Sequence, residues 1–185
     1  VSTHITDTFE GMIETNKTLI DQGALDPQSI IVGVVKDEGS LFEALRDHPS
    51  NSYYEDYLTE RFTEMDTEDI NNVLTLYPID DFINVGHAVS VIAGDRSIVC
   101  SGVKASKSLH SAGYPVYQYV FTEYSDSILR TLTRVQSGTN APPLGVFHSG
   151  EVAFLFGANG PTSELNTETQ KSVSKTIQSY MGSLA

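Results

Sequence analysis

Ile30 to Ser40 reads I-I-V-G-V-V-K-D-E-G-S, and the fold turns on this stretch. Five β-branched residues and one glycine are followed at once by charge and then by Gly39, the pattern of a buried parallel strand ending at the lip of a sheet. In open α/β sheets the ligand crevice lies outside the carboxyl ends of the strands, so the residues just past Val35 are the first candidates for chemistry. Glu38 is the candidate carboxylate. Asp37 is its neighbour and points in another direction in an extended or turning segment, so one of the pair faces the site. Taken alone, D-E-G after a strand also describes a solvated turn with two surface carboxylates.

A partner stretch changes that balance. Leu144 to Gly157 reads L-G-V-F-H-S-G-E-V-A-F-L-F-G, with His148 between an apolar approach and a short apolar helix-like run. By itself this describes a satisfied core histidine equally well. It follows a second strand-like segment, Val116 to Thr122 (V-Y-Q-Y-V-F-T), just as Glu38 follows the first. A carboxylate after one strand and a histidine after the next form the later part of the Ser, Asp or Glu, His chain order of α/β-hydrolases.

K-D-E-G-S at Lys36 to Ser40, taken with G-V-F-H-S-G-E-V-A-F-L-F-G at Gly145 to Gly157, resembles the type-B carboxylesterase and lipase family, which includes cholinesterases and extracellular fungal lipases. Ser149 after the histidine is closer to the fungal members. The 110 positions between Glu38 and His148 leave room for the helical insertion that the family carries there. The resemblance runs from about Leu19 to Ala185 and covers the C-terminal part of such an enzyme. It implies an α/β fold: the C-terminal portion of an α/β-hydrolase domain, with parallel strands and a large helical insertion between them. The expected elements are a strand at about 30–35, the insertion at about 40–113, a strand at about 116–122, the histidine loop at about 144–157 and a final helix at about 164–181.

The 24 acidic residues against 11 basic ones, a formal net charge of −13, exclude a surface built to track nucleic-acid phosphates. No apolar run approaches the ~20 residues that span a bilayer. A chain of 185 residues that starts at Val1 reads as a mature or clipped fragment. Asn16-Lys17-Thr18 is a glycosylation sequon and supports a secreted, extracellular location. Cys100 is the only cysteine, so no disulfide forms within the chain. It reads either as a buried free thiol or, by the resemblance, as the partner of a cysteine outside these residues.

Along the chain, Thr8 to Gly23 reads as a helix or a loop ending in one. Ser40 is placed to cap a helix carrying Leu41, Phe42 and Leu45. Tyr54, Leu58, Phe62 and Met65 recur at helical spacing over an acidic outer face. Thr67 to Leu76 is a helix with Thr67 as its cap, and Phe82 to Ala93 and Ser97 to Ala112 are two helices separated at Gly94-Asp95. Glu123 to Pro143 lacks a period and reads as a long loop. Val152 to Phe156 is a short buried helix.

Glu38 and His148 match the acid and histidine of a Ser-His-acid triad, in which the histidine takes the hydroxyl proton and the carboxylate fixes its tautomer. The first member is missing: no G-x-S-x-G and no HGGG-like segment occurs in the sequence. The partner implied is therefore an N-terminal segment of the same enzyme carrying the nucleophilic serine and the oxyanion donors, with a small-molecule or lipid ester as substrate. Without that segment the chain should not hydrolyse esters. By the resemblance, Leu41 and Phe42 line the substrate pocket, and Leu41 removes an aromatic face that would hold a quaternary ammonium. Glu151 reads either, by the resemblance, as a carboxylate supporting His148 or as an ordinary acid at a helix N-terminus. His4, His48, His87 and His110 lack metal-ligand spacing, so no metal and no cofactor is expected. The competing class is a non-catalytic binding or adhesion protein on the same fold; retention of both Glu38 and His148 favours the enzyme. The sharpest structural expectation is a Glu38 carboxylate about 2.6 to 3.2 Å from the His148 ring.

Overall fold

The computed structural model of the chain describes residues 29–124, 140–157, 165 and 167–183. The helix expected over 8–23, the sequon at Asn16 and most of the loop expected over 123–143 lie outside the described residues.

Two parallel strands pair in register, β1 (Ile30–Val35) with β2 (Val116–Phe121), from Ile30 opposite Val116 to Val35 opposite Phe121. The β-branched run makes β1 extended, and its single glycine has a packing reason. A Cβ on Gly33 would enter the ring of Tyr119, its partner across the ladder. Only Val35 and Phe121, at the carboxyl ends, are fully buried in the two strands. Tyr117 and Val120 stay 57% and 62% exposed, although parallel strands are normally covered on both faces.

The crossover between the strands is helical. Helix α1 (Ser40–Glu43) follows the turn at 36–39 that carries Glu38, the acid turn, and α2 (Tyr54–Arg61) presents Tyr54, Leu58 and, just past its end, Phe62 to a core completed by α3 (Thr67–Leu76) and α4 (Val85–Gly94). Glu55, Asp56 and Glu60 stay on the solvent side. Ile70, Val85, Ala88, Val89 and Ile92 close this core, which belongs to the insertion and stands apart from the one beneath the strand ends.

Three local expectations are corrected. Ser40 does not cap α1; Gly39 occupies that position and the Ser40 hydroxyl bonds the carbonyls of Asp37 and Leu144 at 2.8 and 2.7 Å. The cap of α3 is Asp66, one residue earlier than Thr67. Its carboxylate accepts the Asp69 amide at 2.9 Å while the Asp69 carboxylate accepts the Asp66 amide at 3.4 Å, a reciprocal capping box. Gly94-Asp95 does not break the helix. Both residues keep right-handed helical angles, and a π-helical turn at Asp95–Val99 leads without interruption into α5 (Cys100–Ser111). Glycine and aspartate lower helix propensity without forbidding helix; no proline stands there to stop it.

After β2 and the histidine loop come α6 (Val152–Leu155) and α7 (Glu168–Gly182). Thr167 and Gln170 form the capping box that starts α7, four residues later than expected. Ile177 of α7 packs with Phe154, Ala153, Val146, Phe121 and Val35, flanked by Val173 and Met181. This second core sits directly under the strand ends. Between β2 and α7 lies an apolar groove of about 610 Å³, lined by Ile31, Tyr119, Val173, Ile177 and Tyr180 among others.

Candidate active site

The acid turn begins where β1 stops. The Lys36 amide still donates to Phe121 O at 3.0 Å, but the Asp37 amide donates to Val146 O at 3.0 Å, so the chain changes partner from β2 to the histidine loop. Asp37 also bridges Phe147 in parallel fashion. Its carboxylate accepts the Val146 amide at 2.7 Å, and the Ser40 hydroxyl reaches Leu144 O from one turn further along. Gly145 is at φ +52, and a Cβ there would collide with the Asp37 carboxylate. The loop therefore needs glycine at this position both for its backbone and for its space.

This stitching brings Glu38 and His148 together. Glu38 is 5% exposed; its Oε1 accepts the Val35 amide at 2.8 Å and its Oε2 lies 2.6 Å from His148 Nδ1. Both carboxylate oxygens are thus held. A carboxylate at Nδ1 fixes the neutral tautomer with its proton on Nδ1, which leaves the Nε2 lone pair free to accept. The imidazole is 41% exposed, so one side of the ring is open. Among the described residues no hydroxyl hydrogen-bonds to Nε2.

The remaining candidate residues separate. Phe42 stands over the histidine, with ring centroids 5.3 Å apart, and is half exposed. Leu41, half-buried on the same helix, packs against Ala44, Leu144 and Phe147. Glu151 takes the N-cap position of α6 without a side-chain capping bond; its Oε2 is buried with no hydrogen-bond partner among the described residues. Burial raises the Tyr119 hydroxyl above its ordinary range, and the carboxylates of Glu151 and Glu38 add to the effect. Cys100 opens α5 with its thiol exposed, which corrects the reading of a buried thiol. Among the described residues no group of three His, Cys, Asp or Glu side chains is arranged to hold a metal ion.

Two features escaped the sequence. Asp37 ties the acid turn to the histidine loop, and the only signal for it was its place beside Glu38. Glu43 is buried at 1% exposure and pairs with Arg61 at 3.0 Å, with the Arg46 guanidinium at 3.6 Å and the fully buried His48 ring at 3.8 Å. The alternation of charged and apolar residues around α1 carries no sign of that cluster.

Against known proteins, the match to the carboxylesterase family runs over residues 3–185. Acetylcholinesterase of Bungarus fasciatus is 24% identical over 185 residues, which is 93% of this chain and 29% of that protein. The chain thus spans less than a third of the length of the curated relative it matches.

Proposed function

The chain belongs to the carboxylesterase family, and from that premise we propose that it supplies the acid and the histidine of a Ser-Glu-His triad in a serine carboxylic ester hydrolase. The fold is a partial α/β-hydrolase, with two parallel strands and the large helical insertion between them. The 2.6 Å bond between Glu38 Oε2 and His148 Nδ1 carries the reading. In this role His148 Nε2 takes the proton of the serine hydroxyl as it attacks the ester carbonyl, and returns it to the departing alcohol. Glu38 holds the ring in the productive tautomer and stabilises the imidazolium. The serine and the oxyanion donors come from a segment outside these residues, since the sequence has no G-x-S-x-G. The open side of the His148 ring and the bare apolar positions of β2 support that arrangement, because the rest of an α/β sheet would cover them.

In this reading Phe42 and the half-buried Leu41 flank the substrate beside the histidine. Glu151, half-buried with its Oε2 enclosed, supports the histidine loop from the first turn after His148. The enzyme acts outside the cell with Asn16 glycosylated; no described helix is long and apolar enough to cross a membrane. The deciding experiment replaces His148 in the full-length protein. His148→Ala lowers kcat by several orders of magnitude, whereas His87→Ala leaves it within a few fold. Equal losses from the two substitutions would remove the assignment.

A further inference from the structure

The turn that carries Glu38 meets α4 at two facing glycines, Gly39 and Gly94. A Cβ on Gly94 would stand 2.7 Å from the Gly39 amide nitrogen and 3.2 Å from the Glu38 Cβ. From the other side, a Cβ on Gly39 would overlap the Ser90 carbonyl oxygen and come within 2.8 Å of Gly94 N. Each glycine fills the space that the other leaves. No flexible side-chain end lies between them to give way. The wall behind them is also fixed, because Val85, Ala88, Val89 and Ile92 of the same helix are 0–3% exposed in the insertion core. On the far side the carboxylate is already held at both oxygens, by the Val35 amide and His148 Nδ1.

We infer that Gly94 is a positioning residue for Glu38: its missing side chain lets the acid turn seat against α4 at the depth from which the carboxylate reaches His148. This rests on the reading of Glu38 as the acid of the triad. With alanine at 94, Gly39 N must retreat by about 0.7 Å to restore an ordinary 3.4 Å contact, a displacement near the 1 Å that costs on the order of 100-fold in rate at a preorganised site. Alanine is otherwise the better helix former. A loss of rate in a protein that stays folded is therefore the signature of positioning.

The test compares Gly94→Ala, Gly102→Ala and Glu38→Gln in the full-length protein. Gly102 is the control on the next helix, where a Cβ would meet the Val32 and Val34 methyls at 3.6 and 3.7 Å, ordinary contact distances. The readouts are kcat and KM per titrated active site, the thermal midpoint, and the downfield NMR resonance of the His148 Nδ1 proton. Gly94→Ala lowers kcat by about 10- to 100-fold with little change in KM and moves or abolishes that resonance. Gly102→Ala leaves kcat, KM and the resonance as in the parent and holds or raises the thermal midpoint. A native kcat and a native resonance in Gly94→Ala overturn the inference. So does failure of that variant to fold, since the glycine would then serve the packing at large. If Glu38→Gln keeps full activity, the triad reading fails by itself, and the His148 resonance still reports whether Gly94 sets the depth of the turn.

Discussion

Asp37 Oδ2 accepts the Val146 amide at 2.7 Å while the Asp37 amide donates to Val146 O at 3.0 Å, so one residue of the acid turn holds one residue of the histidine loop on both sides. The two lie 109 positions apart in sequence, and this clamp fixes the spacing of their neighbours Glu38 and His148. Asp37→Ala keeps the backbone bond and deletes the side-chain acceptor, leaving a partly buried amide unpaired at a cost of about 1 to 3 kcal/mol. The expected result is a lower urea midpoint and a kcat reduced roughly tenfold through loosened alignment of the histidine. Asp37→Asn keeps an oxygen acceptor and recovers most of both. If Asn and Ala behave alike, the clamp is not what holds the loop.

What the sequence revealed here depended on how local the cause was. The strand at Ile30–Val35 is written in its own β-branched residues, and Glu38 and His148 follow from the ends of two strands. The bounds of α3 were legible, but its cap was placed one residue late because Asp66 and Thr67 are both good caps, and only the reciprocal bond with Asp69 decides between them. The continuity of α4, the π turn and α5 was hidden, since Gly94-Asp95 looks like a stop and the reason for the glycine is the Gly39 backbone more than fifty positions earlier. The Glu43 cluster was hidden for the same reason. Its partner Arg61 is 18 positions away on another helix, and no periodicity reports such a pair.

Tyr54 donates to Tyr77 O at 2.9 Å, and Tyr77 donates to Asp95 Oδ2 at 2.9 Å, a relay that ties α2 to the end of α3 and to the π turn. Burial is the main cause that pushes both hydroxyls up to about 12; Tyr77 adds to the effect at Tyr54, and the Asp95 hydrogen bond and charge add to it at Tyr77. The folded value lies above the unfolded one of about 10. Stability from these groups is therefore complete below pH 10 and falls between pH 10 and 12, where the unfolded chain releases protons that the folded chain keeps. The thermal midpoint should drop across that window, and Tyr77→Phe should flatten the drop. An identical pH profile in Tyr77→Phe and the parent would show that the relay does not titrate this way.

Ser149 follows the histidine at φ +68, in the left-handed region that costs a residue with a side chain about 1 to 2 kcal/mol. The strain sits in a tight turn whose amide bonds run from Gly150 to Phe147 O at 2.8 Å and from Val152 to Ser149 O at 3.2 Å. A β-branched residue tolerates this conformation worst. Ser149→Val should destabilise the protein by roughly 1 to 2 kcal/mol and lower kcat, whereas Ser149→Asn should stay close to the parent, since asparagine enters the left-handed region readily. Chemical denaturation of the three proteins checks the order, and a valine variant as stable as the parent would contradict the left-handed turn.

Glu43 is a buried carboxylate within the insertion. Its carboxylate is 1% exposed; Oε1 is bonded by Arg61, and Oε2 has no hydrogen-bond partner among the described residues. Arg61 Nε and His48 Nδ1 are buried beside it and also lack partners there. Removing one member of such a pair leaves a buried charge uncompensated, which costs more than the pair contributes when intact. Arg61 is one-third exposed and Arg46 remains at 3.6 Å, so solvent and the second guanidinium soften the loss. Arg61→Ala should therefore cost on the order of 2 to 3 kcal/mol, below the upper end for a fully enclosed pair. Glu43→Leu with Arg61→Leu removes both charges and fills the space, and should recover most of that loss. Urea unfolding of the single and double variants measures the difference. A double variant no more stable than Arg61→Ala would mean that the cluster contributes through its packing and not through its charge.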